Sequence, residues 1–471
     1  MEKTIRDTVI VGGGIGGLVT ACYLAKAGQK VSLIEAGREP GGLCRTLRKD
    51  GLTWNTSLYS LRGCRPGGHF HEILSELDLA DEITFSHSKR SYLIILNGTS
   101  FPITTEIAEI LTAADELQDN GGRKIKPLLE RILHFNPVQD FPGLSGQTFH
   151  DVAQAYGISD KLITALAAPF MISLALPPKR ISAFFAFLKY QLILKEGVSY
   201  PQGGADNLVS KLVENFTSRG GELLLGQTVA AISEESDGVK RVRTAADLTR
   251  RGKHLVINGD ATWAVVMLGS GLPGKYLEKT ERLTPSLSAS LLFLAGSKKN
   301  LASLHLDRYP HVIYVRNTDL DEVYNRIRKG ENTASSEVYG LTSPATWDFP
   351  EADGKPQPLA AFFLSSFYRK DPRLATDFLL KAVRETLPAL GDELSLEMTL
   401  NPEDIFRHTS NRGGSFCGWE MNADRYGPDR ISHRLSRRGI FLAGHWTDPG
   451  PSILNCALSG RKAAMSILKI E

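Results

Sequence analysis

Near its start the chain reads TVIVGGGIGG, and this run limits the possible folds more than any other feature. Thr8 to Val11 read as a short buried strand, and Gly12, Gly14 and Gly17 follow at G-x-G-x-x-G spacing, with Ile15 and Gly16 between them. At that spacing the first glycine makes a tight turn, the second lets the backbone approach a pyrophosphate, and the third lets a helix pack closely on the strand. Leu18 to Ala27 continue as a helix, which Gly28 ends. A helix starting there points unpaired N–H groups at phosphate oxygens. Val31 to Ile34 read as a second strand with Glu35 at its end, where a carboxylate accepts ribose hydroxyls and repels a 2′-phosphate. Glycine spacing alone is weak. Strand, glycine turn, helix, strand and terminal acid in that order predict a dinucleotide site.

Composition removes several other classes. With 471 residues, 42% of them hydrophobic, the chain is long for one core, and two intertwined domains are expected. A formal net charge of +3 from nearly balanced acids and bases gives no field for a polyanion, so no nucleic-acid partner is expected. Cys22, Cys44, Cys64, Cys417 and Cys456 are scattered, which fits a reducing compartment and neither a disulfide framework nor a zinc site. Among the dispersed histidines only His69 and His71 are close, and no metal is expected. No leader pattern opens the sequence and no run reaches the roughly 18 apolar residues of a spanning helix, so the expectation is a cytoplasmic chain. Two apolar segments, Leu162 to Leu176 and Ile181 to Leu194, are joined by PPKR. They read either as buried helices or as a greasy entrance peripheral to a membrane, with Lys179 and Arg180 near headgroups.

Three further stretches carry a family resemblance: AGREPGGLCRT with GLTWNTSLYSLRG, from Ala36 to Gly63; YPQGGADNLVSKLVENFTSRGGELLLGQTVAAI, from Tyr200 to Ile232; and GIFLAGHWTDPGPSILNCALSGRKAAMSIL, from Gly439 to Leu468. Together with the N-terminal motif they resemble the flavoprotein family that includes amine oxidases, protoporphyrinogen oxidase and the phytoene (carotenoid) desaturases. The resemblance implies FAD as cofactor. It places Gly41, Gly42 and Arg45 along the pyrophosphate, with Ala36 and Leu43 in the same loop, and the Val229 backbone at the adenine edge. Gly444, His445, Asp448, Ser452 and Ile453 fall at the flavin end, where a helix beginning near Ser452 favours negative charge on the pyrimidine edge. Many members carry an acid directly after the glycine matching Gly444, and here His445 stands there. Trp446 to Gly450 match the Gly-Thr-His-Pro-Gly of the desaturase-like branch, which the chain resembles more closely. Tyr59, Phe416, Trp419 and Trp446 are expected to line the substrate pocket.

The fold expected is α/β, a Rossmann-type FAD-binding domain with a mixed α+β substrate-binding domain inserted in it. Residues 1–84, 200–287 and 409–471 would form the FAD-binding domain. Residues 85–199, mostly helical, and 288–408, containing a sheet with strands at 291–296, 312–315 and 359–368, would form the other. VVMLGSGLPG holds a second G-x-G-x-x-G spacing at Gly269, Gly271 and Gly274, but Pro273 cannot give the loop an N–H for phosphate. There is no H-E-x-x-H or G-x-S-x-G, and catalytic side chains are not identifiable, which suits an enzyme whose cofactor carries the redox step. The reaction expected is loss of a hydride from carbon of a hydrophobic small molecule to flavin N5, desaturating an isoprenoid or polyene. The electron acceptor and the oligomeric state cannot be read from the residues. Amine oxidation is the main alternative, although no lysine can be placed beside the flavin from sequence. A redox-neutral isomerase and a flavin-stabilised scaffold for a hydrophobic ligand are the others.

Overall fold

The computed structural model describes residues 4–269, 274–347, 355–368, 372–386, 394–424, 430–435 and 439–469. Strand Ile5–Val11 is buried from Thr8 onward and lies at the middle of a sheet. It pairs in parallel with Val31–Ile34 on one side and with Thr249–Ile257 on the other. Glu222–Leu224 extends the sheet beyond Val31–Ile34. Thr249–Ile257 was not anticipated from the sequence. Its first half pairs antiparallel with Lys240–Thr244, its second half pairs in parallel with Ile440–Leu442, and Val229–Glu234 closes that edge. Parallel strands covered on both faces need continuous apolar runs, and VIV, VSLI and HLVI supply them.

The covering helices explain why distant segments meet here. Helix Ile15–Lys26 is buried along almost its whole length and packs on the C-terminal helix Ile453–Leu468. A Cβ on Gly460 would lie 2.4 Å from the Gly16 carbonyl oxygen, so the two helices touch backbone to backbone. The Thr20 hydroxyl sits between them, 2.8 Å from the Gly16 oxygen and 3.1 Å from the Gly460 oxygen.

A second, mixed sheet runs in the order Ser395–Leu400, Ser288–Gly296, Gln357–Ser365, Val338–Thr342, His311–Val315, Arg90–Leu96, Thr99–Thr104. The runs expected as strands after Ser288 are all in it. Residues 85–199 open with Phe85–Ser88 and the hairpin Arg90–Leu96/Thr99–Thr104, which the sequence reading did not single out, before a run of helices. The turn is Asn97-Gly98, with both residues at positive φ (47° and 88°), the geometry a two-residue hairpin requires. Tyr92, Ile94, Leu96, Phe101 and Ile103 are among its buried residues.

The two apolar segments form helices Asp160–Leu174 and Ala183–Glu196, capped by Ser159 and Ser182. Both belong to the core against the second sheet, where Phe149, Phe170 and Tyr190 pack ring to ring. Arg180, expected near headgroups, instead pairs with buried Glu420 at 3.3 Å and lies over the Tyr324 ring at 5.1 Å. Among the described residues, no helix is long and apolar enough to cross a membrane. Gly269 follows helix Ala261–Leu268, while Gly271 and Pro273 of the second glycine run lie outside the described residues.

Candidate active-site cavity

The loop after the first strand is built from close backbone contacts that a side chain would block. Gly12 has φ +99°, and a Cβ there would lie 2.2 Å from the Asn258 carbonyl oxygen. At Gly16 a Cβ would come within 2.7 Å of both Asn258 Oδ1 and Gly444 N, and at Gly17 within 2.1 Å of the Gly12 oxygen. Glu35 braces this loop, its carboxylate accepting N–H bonds from Gly13 (2.6 Å) and Gly37 (2.7 Å). Gly41 N donates to the Gly13 oxygen at 2.8 Å, which brings the second glycine pair beside the first. Helix Ile15–Lys26 has no side-chain cap at Gly14, so its first-turn N–H groups face the open space beyond.

That space is one continuous cavity of about 1120 Å³, larger than the ~300–1,000 Å³ of ordinary small-molecule sites. Gly12, Gly14, Ile15, Gly16, Glu35, Ala36, Gly42, Leu43 and Arg45 line one end. Val229, Gly444, His445, Ser452 and Ile453 are also on its walls. Arg45 pairs with Glu39 at 2.9 Å, and its buried Nε has no partner. Ser452 has φ +118° and ψ 158°, a conformation side chains rarely adopt, while its hydroxyl caps the helix through Asn455 N at 3.1 Å. His445 Nε2 is buried and unpartnered; burial, with Arg430 second, pulls the imidazole down to about 4. A donor-rich glycine cradle next to unpartnered buried polar atoms fits an FAD, with the phosphate loops at one end and His445 farther along.

Three expected site residues lie off the walls. Gly17 acts inside the loop. Asp448, in a cis peptide with Pro449, is 3.8 Å from Arg430 rather than on the cavity. Trp419 is fully buried and packs edge-on against Trp446 at 4.8 Å, so of this pair only Trp446 reaches the cavity. Trp446 is oriented by its indole N–H, which donates to Asn411 Oδ1 at 2.9 Å.

The other end of the cavity has apolar walls with a few polar groups. Tyr59, Phe362 and Phe416 make an aromatic group there, with Tyr59–Phe362 at 6.4 Å and Phe362–Phe416 at 5.2 Å. Helices Asp160–Leu174 and Ala183–Glu196 contribute Ile172, Leu174, Phe185, Leu188 and Leu192. Among them, Arg62 donates to the Tyr92 hydroxyl at 2.7 Å, His311 stacks on Tyr92 at 4.8 Å and bonds Ser60, and Lys189 donates to the Ser173 hydroxyl. Burial first, and then Arg62, holds Lys189 well below the usual lysine range; burial, Arg62 and Lys189 pull His311 down to about 3.

Sequence reasoning missed Asn258, Arg62, Lys189, His311 as a wall residue, and Phe362. Asn258 had a signal: it follows the apolar HLVI run at the carboxyl end of a parallel strand, where open α/β sheets bind ligands. A single lysine inside the apolar run Ile181 to Leu194 was another. The His69/His71 pair is on helix His69–Glu76, where His69 meets Glu72 at 3.1 Å and His71 meets Ser75.

A model of the flavin containing amine oxidoreductase family matches residues 15–468. The chain belongs to this family of FAD-dependent oxidoreductases, and FAD is its cofactor. The carotenoid 3,4-desaturase of Haloarcula japonica is 22% identical, with 98% of each chain covered. The all-trans-retinol 13,14-reductase of Macaca fascicularis is 23% identical over 68% of this chain, and the match spans only 58% of that protein. Among solved structures, an oxidoreductase from Methanosarcina mazei superposes with a TM-score of 0.69 at 16% identity, covering 98% of this chain and 100% of that one. Cyclohexylamine oxidase from Brevibacterium oxydans IH-35A gives 0.63 at 14% identity, with 99% of each covered. These superpositions show a shared fold.

Proposed function

We propose that the chain oxidises a hydrophobic small molecule at carbon, desaturating an isoprenoid or polyene. The observation that carries this reading is the continuous cavity whose walls include both the glycine cradle and an apolar set with Tyr59, Phe362 and Phe416. Such walls exclude water and hold an extended, flat molecule by area and shape. FAD held in the cradle would supply a two-electron acceptor for hydrogen lost from the substrate carbon. The chain's own residues bind and orient: Gly12, Gly14, Gly16, Gly42 and Glu35 hold the nucleotide end, and the aromatic group and the two helices hold the substrate. The match to a desaturase along the whole chain supports this reading over amine oxidation. So does charge, since a cationic amine entering the apolar end would meet the Arg62 guanidinium, and the acidic wall residues Glu35, Glu39 and Asp260 are all beside the nucleotide loops. The test is the visible spectrum of the FAD-loaded protein, mixed without oxygen with polyenes in micelles or with small amines. Bleaching by a polyene is expected; bleaching by amines alone would move the assignment to amine oxidation.

A further inference from the structure

The cavity holds two basic side chains that neither the cradle nor the apolar walls require. Lys189 projects from helix Ala183–Glu196, its Nζ donating to Ser173 Oγ on the facing helix and standing 5.8 Å from the Phe170 ring centroid. Arg62 approaches from the loop after Leu61; one guanidinium nitrogen donates to Tyr92, and its Nε is buried without a partner. Neither is paired with a carboxylate among the described residues. They are close enough for Arg62 to disfavour the charge of Lys189, and both disfavour that of His311. In a largely apolar cavity, desolvation and then the Arg62 guanidinium disfavour the charged form of Lys189, and a bound anion would reverse that. A hydrocarbon would leave both groups without an acceptor that carries charge. A carboxylate would accept from the planar guanidinium and would favour the protonated lysine.

We propose that Arg62 and Lys189 form a carboxylate-binding subsite, so that the substrate is an extended apolar molecule bearing an acid group at one end. This rests on the oxidoreductase reading above and narrows its substrate class. The test titrates FAD-loaded protein with all-trans-retinoic acid, methyl retinoate and retinol, reading binding by calorimetry. The acid should bind at least tenfold more tightly than the alcohol and the ester. In Lys189→Met and Arg62→Met, both retaining FAD, that preference should fall below threefold while retinol affinity changes by less than threefold. Equal binding of acid and alcohol, a preference that survives both substitutions, or no binding of any of the three would overturn the subsite. So would loss of FAD from Arg62→Met, which would assign that arginine to the cofactor. If an uncharged polyene bleaches the flavin and the acid shows no preference, the reaction proposed above stands and the subsite alone fails.

Discussion

Replacing Glu35 by Gln removes one charge and alters one atom where the first two loops meet. The carboxylate accepts from Gly13 N at 2.6 Å and from Gly37 N at 2.7 Å. A glutamine has one oxygen to offer, so its NH₂ must face one of these N–H groups, donor against donor. At least one hydrogen bond to a charged acceptor is lost, worth about 1.5–3 kcal/mol. At roughly 1.4 kcal/mol per tenfold, this equals a factor of about 10 to 150, divided between the loop's own stability and its affinity for FAD. Both shares are measurable. Urea unfolding of the deflavinated proteins gives the first, and quenching of FAD fluorescence during reconstitution gives the second. The two losses together should reach at least about 1.5 kcal/mol. A combined loss below about 0.5 kcal/mol would refute the view that this carboxylate organises the cradle through both oxygens.

Gly16→Ala should lower FAD affinity at least about tenfold, since its Cβ meets the Gly444 backbone at 2.7 Å, whereas Gly28→Ala, at φ +82° with open space around it, should cost only the ~1–2 kcal/mol of a left-handed residue and leave the FAD dissociation constant unchanged. Equal FAD affinity in the two variants would remove Gly16 from the cradle. Ser452→Gly should raise the urea midpoint, because relief of about 1–3 kcal/mol of backbone strain exceeds the few tenths lost with the cap hydroxyl; a lowered midpoint would show that the cap dominates. For pH, buried His445 and His311 sit at about 4 and about 3, below the ordinary 6.5. The unfolded chain therefore binds more protons in that window, and their contribution to stability is present above 6.5 and lost as pH falls toward 4. Asp321, pushed up to about 6 by burial, has the opposite sign between about 4 and 6, so the readout is a difference: apoprotein His445→Gln should lose less stability between pH 6.5 and 5 than the parent, and an equal loss would contradict the shift.

The parts of the fold that local chemistry fixes were readable. A glycine turn between two apolar strands forces one backbone path: Gly12 follows strand Ile5–Val11 directly and Glu35 follows strand Val31–Ile34. The hairpin at Asn97-Gly98 was equally local, with its positive-φ pair directly after the apolar run Tyr92 to Leu96. Thr249–Ile257 was hidden. Its first four residues, TRRG, carry no apolar run although they pair with Lys240–Thr244, while only HLVI carries the buried signature.

The site follows the same division between local and tertiary causes. Trp419 and Trp446 flank one motif region and look alike in sequence, yet an edge-on contact buries the first in the core and leaves only the second on the wall. No periodicity could separate them, since which face looks inward depends on how the Ile440–Leu442 strand docks onto Thr249–Ile257. Lys189 is the sharper case. On a helix with buried residues on most sides, a lysine reads as a stem that reaches solvent. Here Ser173 and Phe170 on the facing helix hold its head inward, and Arg62 arrives from a different segment altogether. Each basic side chain by itself is unremarkable. Their juxtaposition is a property of the packed chain, and it is this juxtaposition that separates an acid-bearing substrate from a plain hydrocarbon.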